Sequence, residues 1–219
     1  MIFKRIALVS VLGTMVAAAN AQVFFQDFES GLGASESTGG IFVINNTNPL
    51  NNGTMMMGHR DNYTDNEYSF YQVVLDLTGF TNVSMSFDYV GSFETHFDRF
   101  NVLAATGAIN PPNGLLNPTA VSDMQFIDLG DDHHPNLGFF AYDSSTASGG
   151  AGGTARFDLS AFNNQMVTLR FQFGSDFSIT DDGFNMDNLT VNAEAVPEPA
   201  TLAILGAGAL ALLRKRKKA

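Results

Sequence analysis

Cysteine is absent from the 219-residue chain, which removes disulfides, thiolate metal sites and cysteine nucleophiles together. Tryptophan is absent as well. Between Gln22 and Pro199 there is no lysine. Arg60, Arg99, Arg156 and Arg170 stand there against 22 acidic residues, a formal charge of −18. A field of that sign repels nucleic acid and anionic lipid, and it draws in cations, calcium above all. The sequence has no Gly-x-Ser-x-Gly elbow and no His-Glu-x-x-His pair, so the common hydrolase motifs are missing. Helical periodicity is scarce, and long apolar runs occur only at the two ends.

What is present begins with those ends. Lys4 and Arg5 precede an apolar stretch from Ile6 to Val16, and Ala19-Asn20-Ala21 offers a small-x-small cut site. That order predicts a secretory signal peptide over residues 1–21, read by the Sec export machinery. At the other end Val196-Pro197-Glu198-Pro199 leads into an apolar run from Ala200 to Leu213. Arg214, Lys215, Arg216, Lys217 and Lys218 close it as a basic stop. As a helix the run is about 21 Å long, short of a hydrocarbon core of about 30 Å. Basic stems that reach the interface lengthen the effective span and favour the cytoplasmic side.

This order of Pro-Glu-Pro, short apolar helix and basic cluster over residues 195–219 resembles the PEP-CTERM sorting signal of Gram-negative bacteria. The resemblance implies an inner-membrane-anchored precursor. It also implies cleavage by the membrane protease exosortase at Pro197-Glu198-Pro199, which releases the body to the cell surface or extracellular matrix. Such cargo accompanies exopolysaccharide and biofilm production. The membrane is then a partner only through the tail before processing.

Residues 22–194 are one domain's worth of chain, and every Phe but Phe3 is available to its core. Val83, Met85, Phe87 and Tyr89 alternate with Ser84, Ser86 and Asp88. Val167, Leu169, Phe171 and Phe173 alternate with Thr168, Arg170 and Gln172. A period of two predicts half-buried strands of an antiparallel sheet. Further strands are predicted at 23–29, 41–45, 68–77, 97–104, 124–129, 137–142, 155–159 and 184–192, and Met55-Met56-Met57 reads as a short strand or core filler. Asn110 to Pro118 and the Ser/Gly/Ala stretch from Ser144 to Gly153 are expected surface loops. Asp76-Leu77-Thr78-Gly79-Phe80 and Asp158-Leu159-Ser160-Ala161-Phe162 each lead into a core strand, which places those strands at equivalent positions of two facing sheets. The fold class is all-β, a jelly-roll-like antiparallel β-sandwich between a signal peptide and a short C-terminal hydrophobic helix.

Phe28-Glu29-Ser30-Gly31, the Asp158-Leu159-Ser160 turn before Val167, and Asp182-Gly183-Phe184-Asn185-Met186-Asp187-Asn188-Leu189-Thr190-Val191 are similar to concanavalin-like, carbohydrate-binding and MAM-like jelly rolls of secreted proteins. The likeness implies first and last strands paired at one edge, with nearby carboxylates holding a structural calcium. Such families often have Trp where this chain has Phe184.

A hard cation takes six to eight oxygens from irregular chain. Glu29, Asp181, Asp182 and Asp187 can supply them if the terminal strands are neighbours. Asp187 shares strand parity with Leu189 and Val191 and is expected to point inward. Asp61 to Glu67 is a second oxygen-rich loop. Asp131-Asp132-His133-His134-Pro135 reads as a polar loop, and His59 and His96 are isolated. For sugar stacking, Tyr63, Tyr68, Tyr71, Tyr89 and Tyr142 are available. The expected function is non-enzymatic: a structural or adhesive matrix protein bridging polysaccharide through calcium. A carbohydrate-binding module with a defined glycan site is the alternative, and a matrix-polymer hydrolase a more distant one.

Overall fold

The computed structural model describes residues 20–47, 53–94, 97–109, 127–128, 151–196, and Gly206 and Gly208. The strands are β1 (Asn20–Gln26), β2 (Glu36–Gly39), β3 (Val43–Asn45), β4 (Met56–Gly58), β5 (Tyr68–Asp76), β6 (Phe80–Ser92), β7 (Arg99–Thr106), β8 (Ile127–Asp128), β9 (Ala151–Asp158), β10 (Met166–Gly174) and β11 (Gly183–Ala195). They form two antiparallel sheets. The front sheet runs β3-β4-β11-β6-β9, with β1 also on β11; the back sheet runs β2-β5-β10-β7-β8. This is the jelly-roll-like sandwich that the alternating strands predict. The first and last strands pair, Phe24 opposite Val191 and Gln26 opposite Leu189. Gly206 and Gly208 are helical and exposed, and no helix among the described residues is long and apolar enough to cross a membrane.

Alternation explains the core. Val83, Met85 and Phe87 of β6 and Phe184, Met186, Leu189 and Val191 of β11 face Tyr71 and Val73 of β5, Phe100 and Val102 of β7, and Leu169, Phe171 and Phe173 of β10 in one cluster. Rings interlock across the gap. Phe100 stacks on Phe184 at 3.6 Å between centroids, and Phe87 meets Phe171 edge-on at 5.3 Å. Each such ring pair adds about 0.5–1.5 kcal/mol beyond the area it buries.

The two Asp-Leu turns are the crossovers between sheets. Asp76 accepts from the Thr78 N–H at 3.0 Å and Asp158 from the Ser160 N–H at 2.8 Å. Leu77 N–H then bonds Gln165 O, and Leu159 N–H bonds Val83 O, each turn pinned to the strand that follows the other. Hydrogen bonds within the turns hold both Asp carboxyls below the usual range, from the Thr78 side chain and then its N–H for Asp76, and from the Ser160 N–H and then its side chain for Asp158. The strands they lead into, β6 and β10, lie in facing sheets as the repeated motif predicts.

Several expectations need correction. Residues 151–153 of the Ser/Gly/Ala stretch belong to β9, opposite Gly91 to Tyr89. The strand β2 has no alternating apolar pattern and was not predicted. β7 starts at Arg99, so Phe97 lies in a turn. The outward side of β10 is buried too: Thr168, Arg170 and Gln172 are all sealed from solvent. Backbone after β7 covers part of that side. Thr168 Oγ1 donates to Gly107 O at 2.7 Å and accepts from Ile109 N–H, while Gln72 Nε2 donates to Ile109 O. The Arg170 guanidinium lies 3.8 Å from the centre of the Phe70 ring, a cation–π contact, and its Nε donates to Gln172. The expected segments 110–118, 137–142 and 144–150 lie outside the described residues.

Gly183 opens β11 at φ +87°, and a Cβ there would sit 2.2 Å from His59 Nδ1. Gly79 has a similar φ, +81°, but faces open space. Gly183→Ala should therefore lower unfolding stability by about 3 kcal/mol, against about 1 kcal/mol for Gly79→Ala. Urea titration of both variants measures the difference.

Candidate functional site

Antiparallel pairing brings three loops to one end of the sandwich. Gly58 is opposite Asn185, Ser92 opposite Gly183, and Gly174 opposite both Tyr68 and Arg99. The loops at 59–67, 93–98 and 175–182 therefore meet. Backbone hydrogen bonds join them: Tyr63 N–H to Asp181 O, Asn66 N–H to Asp176 O, and Ser175 N–H to Glu67 O.

A buried histidine holds the first loop. The Phe184 N–H donates to His59 Nδ1 at 2.9 Å, which places the ring proton on Nε2, from where it bonds Glu67 Oε1 at 2.8 Å. Phe42 and Phe173 close on the ring edge-on. Burial alone raises the Glu67 carboxyl. Hydrogen bonds from His59, the Ser69 hydroxyl and the Thr64 N–H more than offset it and leave the group below its ordinary range. The carboxylates of the 61–67 loop do not converge: Glu67 turns inward to these donors, and Asp61 stays outside on Arg60.

Behind this pair Tyr63 is buried, and its hydroxyl donates to Asp98 Oδ2 while accepting from the Glu94 N–H at 3.1 Å. Burial, then the bond to Asp98, push the phenol far above its ordinary value, so Tyr63 stays neutral. Asp98 Oδ1 accepts from the Asp176 N–H at 2.9 Å. Oxygens of Glu94, Asp98 and Asp176 lie within 4.8 Å of one another, the one such carboxylate group among the described residues. Beside it, Phe97 and Phe177 are exposed at 58% and 74%, and Ile179 is exposed too.

The structure divides the four carboxylates expected to share an ion. Glu29 lies by Asp187, with Asp27 and Asp88 close enough to act on it. Burial first, then these like charges, push the Asp187 carboxyl up. Glu29 Oε1 accepts from the Met55 N–H, and Asp88 accepts from Thr154 and Asn188. Asp181 and Asp182 sit at the loop end instead, Asp181 accepting from the Ser92 hydroxyl at 2.6 Å. Five or six residues of strand, on the order of 15 Å, separate them from Asp187. Asp187 also fails to point inward. The β11–β6 register shifts between Asp187 and Thr190, and Asn188 takes φ +52°. This bulge lets Met186 and Leu189 both enter the core while Asp187 lines a groove of about 490 Å³ on the outside of the front sheet.

Sequence spacing could not reveal Glu94, Asp98 and Asp176, because the last is 78 residues from Asp98. Asp98 falls inside the predicted strand 97–104, while Glu94 and Asp176 follow predicted strands by a few residues, so no local pattern signals that the three meet. Ala21 lies in β1, two residues into the strand. Ala19, His96, Asp131 to Pro135, Pro197, Glu198, Pro199 and Arg214 to Lys218 lie outside the described residues.

The profile of the PEP-CTERM protein-sorting motif matches residues 195–217. That motif marks export and a membrane-anchored precursor processed by exosortase. No curated protein matches the sequence. Among solved structures, the K3 cleaved adhesin domain of Lys-gingipain from Porphyromonas gingivalis is similar at 16% identity and a TM-score of 0.47, over 78% of this chain and 98% of that one. The family 11 carbohydrate-binding module of a cellulosomal cellulase of Clostridium thermocellum is similar at 14% identity and 0.38, over 83% and 98%.

A carboxylate whose folded pKa is depressed contributes stability that is present above its unfolded value and lost as pH falls through the folded one. Glu67→Gln should thus cost roughly 2 kcal/mol at pH 7. The gap to the parent protein should close as pH falls below the ordinary 4.5. Thermal melts from pH 7 to 3 check the sign.

Proposed function

We propose that the released body is a non-enzymatic matrix component that adheres to exopolysaccharide through its loop end, with calcium as a structural cofactor. The observation that carries this reading is the exposure of Phe97 and Phe177 beside the hydrogen-bonded Asp98 and Asp176. Large apolar side chains clustered at a rim mark a surface that something covers. A phenyl face suits the C–H face of a sugar ring, and the partly exposed Asp176 carboxylate beside it can accept from its hydroxyls. The tyrosines supply less: Tyr63 and Tyr71 are buried, and Tyr142 lies outside the described residues. Sorting fits the role, since exosortase processing delivers the body to where such polymer accumulates.

The group of Asp27, Glu29, Asp88 and Asp187 is the proposed structural calcium site. Four carboxylates at a strand bulge repel one another when bare, and a divalent ion offsets that repulsion. Its place in the middle of β11, far along the strand from the loops, suits stability rather than adhesion.

Two outcomes are expected. The mature protein should be retained on the host's exopolysaccharide, and Phe97→Ala/Phe177→Ala should reduce retention at least fivefold with unchanged circular dichroism. Undiminished retention of the double variant contradicts the reading. Retention by a single polysaccharide species favours the module with a defined glycan site. In chelator, Asp187→Asn should raise the melting temperature at pH 7. A carboxyl whose folded pKa is raised loses stability as pH rises through it, and the amide removes that penalty. In calcium the same variant should gain less than the parent protein.

A further inference from the structure

A separate group of carboxylates lies at the loop end. We propose that Glu94, Asp98 and Asp176 bind a divalent cation, calcium by preference, and thereby tie the 93–98 loop to the 175–182 loop. Three separate observations support it.

The first is distance. One oxygen from each residue lies within 4.8 Å of the others. Oxygens on opposite sides of a calcium ion, each about 2.4 Å from it, are that far apart. The second is an orphaned atom. Glu94 Oε2 has no exposed surface and accepts no hydrogen bond. A carboxylate oxygen sealed without a donor is costly unless a positive charge meets it. The third is preorganisation. Asp98 is 3% exposed, and its two oxygens are each fixed by one donor, the Tyr63 hydroxyl and the Asp176 N–H. Each oxygen keeps a further lone pair for a metal.

The chemistry selects the ion. The three groups offer oxygen alone, and the chain has no thiol, so a hard cation is favoured over zinc or copper. Six to eight ligands are needed, and water completes the shell from the exposed side. This site is distinct from the Asp187 group, which sits on the outside of the front sheet, and it does not depend on the polysaccharide reading. An ion here would hold the loops that carry Phe97 and Phe177.

Terbium luminescence on the mature protein tests the site, because without tryptophan the emission must be sensitised by tyrosine, and Tyr63 bonds directly to Asp98. The parent protein should show saturable emission displaced by calcium. Glu94→Gln, which removes no hydrogen bond seen for that side chain, should weaken calcium at the loop end at least tenfold in calorimetry, with the melting temperature in chelator unchanged or raised. Asp187→Asn should leave that loop-end binding intact. Calcium binding by Glu94→Gln equal to the parent overturns the proposal. So does loss of all binding in Asp187→Asn alone, which assigns the ion to the other group. Should Glu94→Gln fail to fold, the absence of calorimetric binding at millimolar calcium in the parent overturns it equally.

Discussion

Everything in this sandwich rests on phenyl rings meeting between two sheets that no disulfide joins. Phe100 on Phe184 and Phe87 on Phe171 are contacts between strands distant in sequence. They fix how β6 and β11 of the front sheet lie over β7 and β10 of the back sheet. Those same four strands carry the loops at 93–98 and 175–182. The placement of the acidic, aromatic-tipped end is therefore a consequence of core packing. A secreted domain without disulfides needs a large core, and here the core also sets the geometry of the loop end.

Polar groups finish what the rings begin. His59, Glu67, Tyr63 and Asp98 are buried among aromatic side chains, and each finds a hydrogen-bond partner on a neighbouring loop or strand. In a low-dielectric interior such a network is strong when complete and expensive when broken. Gly183 exists to let His59 approach β11, since a Cβ there would strike the imidazole. The network holds the three loops at one end in register, and a rim held this way can keep large apolar side chains exposed without collapse. Glu94 is the exception, with one carboxylate oxygen covered and without a hydrogen-bond donor.

Much of the fold was legible because strands β6 and β10 keep a period of two with large apolar residues on the core side. The sorting motif was legible because its three parts are contiguous. What was hidden depends on contacts that period and adjacency do not encode. Glu36–Gly39 forms β2 because its backbone pairs with β5, and Glu36 takes the Tyr71 hydroxyl and the Gln26 amide. Arg170 is sealed, and the chain after Thr106 covers part of the same face through Thr168 and Gln72. Asp187 breaks parity through a bulge that a one-residue count cannot show. The four expected ligands lie in two places because five or six residues of extended chain carry Asp187 away from Asp181 and Asp182. Glu94, Asp98 and Asp176 meet only after both sheets have formed.

Hydrogen exchange of the mature protein with and without the host's exopolysaccharide, in calcium throughout, tests most directly whether the loop end is the working surface. Slowed exchange confined to 93–98 and 175–182, with the sheet interiors unchanged, is the predicted result. Protection on the outer face of either sheet, or no change at the loops while polymer is bound, would contradict it.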